Sequence, residues 1–156
     1  MKFSTEKSGS IDPAKDLDLP GAELALQRVV QRRARSFAGA MTQGLHDAAD
    51  YAAETKAAND AVTKSFSSAH KDAGHVQFVA HDGPHSQVGD RVLTESVVEV
   101  DDEPTPSGSD PEVVARAFEF GSVAMDTPAT AFTMKVEAEQ DQAARHDLEE
   151  VAEGIE

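Results

Sequence analysis

The stretch Pro111-Glu-Val-Val-Ala-Arg-Ala-Phe-Glu-Phe-Gly121 carries the densest local signals in this 156-residue chain. Asp110 is a capping residue, and Pro111 fits the first helical position, where its missing N–H costs nothing. Val114 and Phe118 are four apart, as are Val113 and Ala117, so a short helix here has an apolar side. Gly121 supplies the left-handed exit that helix ends favour. Further on, Thr127-Pro128 reads as a second cap-and-start signal. Phe132, Val136, Ala143, Leu148, Val151 and Ile155 then form a looser stripe, which predicts a helix over 129–153 that stops near Gly154.

Upstream, residues 21–63 read as one long helix or two in line. Leu26, Val30, Phe37, Met41, Leu45, Ala48 and Ala52 recur at helical spacing, with Ala34 filling the widest gap. Gly39 and Gly44 weaken that helix, and Tyr51 lies beside its stripe. Residues 64–74 read as a polar connector. His75 to His81 alternates like a strand, Asp82-Gly83-Pro84 reads as a turn or loop start, and Arg91 to Val100 is a second strand. On that second strand Val92, Val98 and Val100 share one face. The two strands predict a hairpin with a loop of about eight residues. Residues 101–110 form an acidic, proline-broken loop. Residues 1–20 show no period and read as an extended arm with apolar anchors at Phe3, Ile11, Leu17 and Leu19, held by another chain. The expected fold is α+β: a long N-terminal helix, a small antiparallel sheet, a short helix and a C-terminal helix, with 21–156 as one domain.

Composition narrows the function. Hydrophobic residues are 39% and aromatics 5%, so the core is aliphatic, alanine-rich and thin. Such a core favours burial against partners. No stretch reaches the length of a membrane span, and residues 1–20 lack the apolar run of a signal peptide. Without cysteine there is no disulfide and no thiolate chemistry. A net charge of -15 works against DNA binding by the whole surface. It fits either a surface adapted to high salt, as in a halophilic organism, or the lining of a passage through which DNA slides without sticking.

Arg28, Arg32, Arg33 and Arg35 fall within one short segment of the long helix, and Arg28, Arg32 and Arg35 share a face. A solvated face paired with nearby acids is one reading. A docking patch for an acidic neighbour, including another copy of this chain, is the second, and a contact to DNA ranks third. His75, His81, Asp82 and His85 match no metal-binding spacing with a mechanism behind it, so no metal is expected there. Asp101, Asp102 and Glu103 lack the alternation and closing glutamate of a calcium loop. There is no phosphate-binding loop and no nucleophile elbow. Neither catalytic residues nor a cofactor is expected.

The order of elements, together with Ala115, Arg116, Ala117, Phe118, Glu119, Phe120, Gly121, Pro128 and Phe132, resembles the neck and tail-completion proteins of tailed viruses. In that family the segment runs Tyr-Ala, then Glu-Phe-Gly, a loop, and Pro-Phe. Here Val114 stands near the family's aromatic, and Pro128 and Phe132 are not adjacent. The family's Thr-Gly-x-Leu segment before the first strand is missing. The resemblance covers residues 22–150. It implies a non-enzymatic α+β subunit of a homo-oligomeric ring, six-fold or in the alternative twelve-fold. The ring joins the connector to the tail tube in the virion, with DNA as passing cargo and no membrane. Glu119, Phe120 and Gly121 would then form part of the partner interface. A tail terminator, a capsid-side adaptor and a cellular interaction module of a salt-adapted microbe are the alternatives.

Overall fold

The first helix organises the molecule. In the computed structural model, which describes residues 4–11, 19–88 and 91–155, α1 (Leu19–Ala58) is one unbroken helix of 40 residues. Leu26, Val30, Ala34, Phe37, Met41, Leu45 and Ala52 are all buried along a single face, as their spacing requires. Tyr51 is 71% exposed and stands off that face. The helix ends at Ala58, and Asp60 takes a left-handed φ of 53°, a conformation that aspartate tolerates.

Residues 64–74 are not a connector. Lys64–Ala73 is a second helix, α2, whose N-cap is Thr63: its hydroxyl accepts from the Phe66 N–H at 3.1 Å. Phe66, Ala69 and Ala73 bury one narrow stripe. Three apolar residues among so many serines and charges are too few for periodicity to register. The packing of Phe66 against Phe118, edge to face at 6.3 Å, contributes what local propensity does not. Asp72 joins the buried side, where its carboxylate accepts from the Ser107 N–H at 3.0 Å and from the Ser107 hydroxyl. The acidic loop before α3 is thereby tied to α2.

The sheet has three antiparallel strands in the order β1-β3-β2, formed by Ser4–Ile11, Arg91–Val100 and Phe78–Val88. Two expectations are corrected. The strand expected over 75–81 begins at Phe78 and runs on to Val88, and Val88 pairs with Arg91. Pairing therefore continues up to Val88↔Arg91, where an eight-residue loop was expected. Asp82-Gly83-Pro84 is a bulge between the pairs Asp82↔Ser96 and His85↔Thr94. A Cβ on Gly83 would lie 3.2 Å from the Glu95 backbone, so glycine permits the close approach. The second correction concerns the arm. Residues 4–11 pair with β3 of their own chain, from Ser4↔Glu99 to Ile11↔Val92. Backbone pairing needs no side-chain period, and a polar strand is well suited to a sheet edge.

The core side of β3 carries Thr94, Ser96 and Val98, all buried beneath α1. Val98 and Val100 thus face as their alternation predicts, although two hydroxyl residues share that face. The short helix α3 (Pro111–Phe120) starts and stops where its sequence says: Asp110 accepts from the Glu112 N–H at 2.9 Å, and Gly121 has a φ of 83°. The last helix, α4 (Phe132–Ile155), begins later than Thr127-Pro128 indicates and continues through Gly154. It lies along α1, where the Arg33 guanidinium donates to Gln140 at 2.8 Å and to Asp147 at 3.4 Å.

Gly44 makes that close packing possible. A Cβ placed there would come within 2.8 Å of Val136 Cγ2 and 3.6 Å of Phe132. Gly44→Leu is therefore expected to lower stability by about 1–3 kcal/mol through overpacking, against the usual gain from removing a mid-helix glycine. Denaturant melts of the two proteins check this.

Candidate functional site

The corner between α3 and α4 is held by a dense set of hydrogen bonds. A helix leaves its last carbonyls without partners, and here three threonines at intervals of three serve this junction. Thr127 donates its buried hydroxyl to the Ala117 carbonyl at 2.9 Å, beside the Gly121 N–H at 2.8 Å. Thr130 donates both its N–H and its hydroxyl to the Phe118 carbonyl, at 2.9 and 2.5 Å. The Glu119 carbonyl accepts from the Ala131 N–H at 3.1 Å. Thr133, in the first turn of α4, then donates its N–H at 3.0 Å and its hydroxyl to the Glu119 carboxylate.

Glu119 is thus not a surface acid. Only 5% of it is exposed, and its negative charge sits at the N-terminus of α4, where helix N–H groups lack internal partners. Gly121 has its left-handed φ and a tight neighbour, since a Cβ there would lie 3.2 Å from the Ala129 nitrogen. Between them Phe120 points outward and is 57% exposed. With Val113, Arg116, Ala117, Gly121 and Ser122 it lines a shallow cavity of about 230 Å³. Val113 is 49% exposed and Val123 fully so. Of these, the aromatic ring and the arginine are residue types enriched at protein interfaces.

The loop that carries Val123 is fastened at both ends. Ser122 and Thr127 exchange two backbone hydrogen bonds of 3.0 Å. Asp126, at a φ of 54°, accepts from the Thr63 hydroxyl at 2.8 Å and pairs with the Lys56 ammonium at 3.2 Å. Lys56 also stands 5.0 Å over the Phe66 ring. Asp126 therefore joins the loop to both helices of the α1–α2 junction.

Of the other residues singled out by sequence, Arg28, Arg32 and Arg35 are all exposed on one side of α1. Arg32 reaches Asp147 of α4 at 3.6 Å yet keeps 62% of its side chain exposed. Phe3 and Leu17 lie outside the described residues; Ile11 ends β1 and Leu19 begins α1. His75, His81, Asp82 and His85 are exposed, with His81 and His85 on either side of the β2 bulge. Among the described residues no three His, Cys, Asp or Glu side chains converge to hold a metal ion. His46 and His70 line a small cleft between α1 and α2, donating to the Val76 carbonyl at 3.0 Å and to Asp50 at 2.8 Å. Sequence reasoning did not single them out, nor Thr130 and Thr133; the three-residue threonine spacing was the available signal.

Comparison with protein-family models, with curated proteins and with solved structures finds no match to this chain.

Two outcomes are expected at this corner. Glu119→Ala leaves the Thr133 N–H without its partner and costs about 1–3 kcal/mol; hydrogen exchange should show the first turn of α4 opening before the rest. The Thr63 hydroxyl, and after it Lys56, hold the Asp126 carboxyl below its ordinary value of 3.8. Its contribution to stability is complete above that ordinary value and is lost as pH falls through the lower folded-state value. Asp126→Asn keeps a residue that tolerates positive φ and removes the charge. The stability of the two proteins should therefore differ at neutral pH and converge in acid, as read by denaturant melts across that range.

Proposed function

We propose that this chain is a structural virion subunit, assembled as a ring at the head–tail junction of a tailed virus. In this reading it joins the connector to the tail tube and encloses the DNA channel. What supports the reading is the divided use of Glu119-Phe120-Gly121. Glu119 turns inward to hold α4, Gly121 makes the turn, and Phe120 is left outward beside Val113 and Arg116. A segment built so tightly to present one aromatic ring to solvent is suited to contact with a neighbouring subunit. The elements α1, β2, β3, α3 and α4 keep the order on which the family resemblance rests, with β1 and α2 as additions to it. The charge of -15 suits a channel wall, since like charge keeps passing DNA from adhering.

The test is incorporation into particles. Tailed particles purified from cells that produce the chain should carry it, with antibody label at the junction of head and tail. A chain absent from particles, or labelled elsewhere on them, removes the reading. Phe120→Asp should reduce incorporation at least about tenfold, consistent with loss of a central interface aromatic. The variant's melting temperature should fall by less than about 5 °C, because that side chain is more than half exposed.

A further inference from the structure

The solvent side of α1 carries an ordered charge pattern. Its N-terminal half presents Arg28, Arg32 and Arg35, and its C-terminal half presents Asp47, Asp50 and Glu54, all exposed. Gly39 and Gln43, also exposed, lie between them. Along this stripe the steps are four, three, four, four, four, three and four, the same from either end and centred on Met41. Their mean is close to the helical repeat, so these residues follow one side of the helix for roughly 40 Å. If a second α1 is laid antiparallel with its Met41 at the same level, Arg28 faces Glu54, Arg32 faces Asp50 and Arg35 faces Asp47. Gly39 then faces Gln43.

Gly39 is the second observation. A glycine within a helix weakens it. Gly44 has an internal reason to be glycine, the closeness of Val136. At Gly39 nothing lies within 4 Å of the Cβ that is missing. The absence of a side chain there serves nothing inside the described chain, but it lies beside the midpoint of the stripe, where two antiparallel helices would approach most closely.

We propose that two copies of this chain pair through α1, antiparallel about a two-fold axis at Met41. An isologous contact of this kind makes every complementary pair twice. Electrostatic matching selects the partner: a chain of net charge -15 repels its copies except where cations meet acids, and the palindromic stripe provides that match in one register. Existing contacts leave it accessible. Asp50 holds His70 at 2.8 Å while 69% of its side chain stays exposed, and Gln43 donates to Asp47 at 2.7 Å along the helix. The pairing does not rest on the virion reading. It occupies the arginines that docking in a ring would use, so the pair is the form of the chain outside the particle.

Sedimentation equilibrium of the purified full chain tests it. The natural chain should sediment as a dimer. The triple variants Arg28→Glu/Arg32→Glu/Arg35→Glu and Asp47→Lys/Asp50→Lys/Glu54→Lys should each self-associate at least about tenfold more weakly, with helical circular dichroism unchanged. Mixed in equal amounts they should recover a heterodimer, because every facing pair is then complementary again. Gly39→Leu should fold normally and weaken the dimer by a similar factor. A monomeric natural chain, an assembly indifferent to both triples, or a mixture that stays apart overturns the proposal.

Discussion

The end of α3 imposes the constraint on which the second half of the chain depends. A ten-residue helix that stops at a buried corner must find donors for its terminal carbonyls, or it carries unsatisfied groups into the core. Thr127 and Thr130 meet that need, and Thr133 marks the converse service: the Glu119 carboxylate of α3 accepts from an otherwise unpartnered N–H at the start of α4. One helix end and one helix start thereby share a single hydrogen-bonded junction. The placement of α4 along α1, and so of Arg33 against Gln140 and Asp147, follows from it.

The parts legible in the sequence are those whose signals are local or long. The α1 stripe spans many turns and reads directly. Asp110-Pro111 and Gly121 mark their helix because caps act over one turn. The misread segments depend on contacts distant in sequence. Lys64–Ala73 becomes a helix because Phe66 meets Phe118. Ser4–Ile11 becomes a strand because β3 offers it a free edge. Thr127-Pro128 carries the chemistry of a helix start, but the Thr127 hydroxyl is committed to Ala117. At the corner, sequence marked Glu119, Phe120 and Gly121 together as interface. Burial divides them: the acid works inside the chain and the aromatic outside.

Two of the exposed features among the described residues differ in kind. The corner at Phe120 and Val123 is apolar with one arginine, suited to a shaped pocket on a neighbour. The α1 stripe is charged and nearly flat, suited to recognition by register. A thin, alanine-rich core leaves a chain of this size with little surplus stability. Surfaces of both kinds, held by rigid helices, let association contribute what the interior does not.

The strand order has a consequence for how the molecule comes into being. Ser4–Ile11 is made before the rest of the sheet, yet its partner is the third strand, residues 91–100, made after α1, α2 and β2. At synthesis rates of about 5–20 residues per second, that first strand waits several seconds for its mate. It has three serines, a threonine and two charged residues, without a run of apolar residues on which stray strands could template. The polarity that hides it from periodicity analysis also protects the nascent chain during that wait.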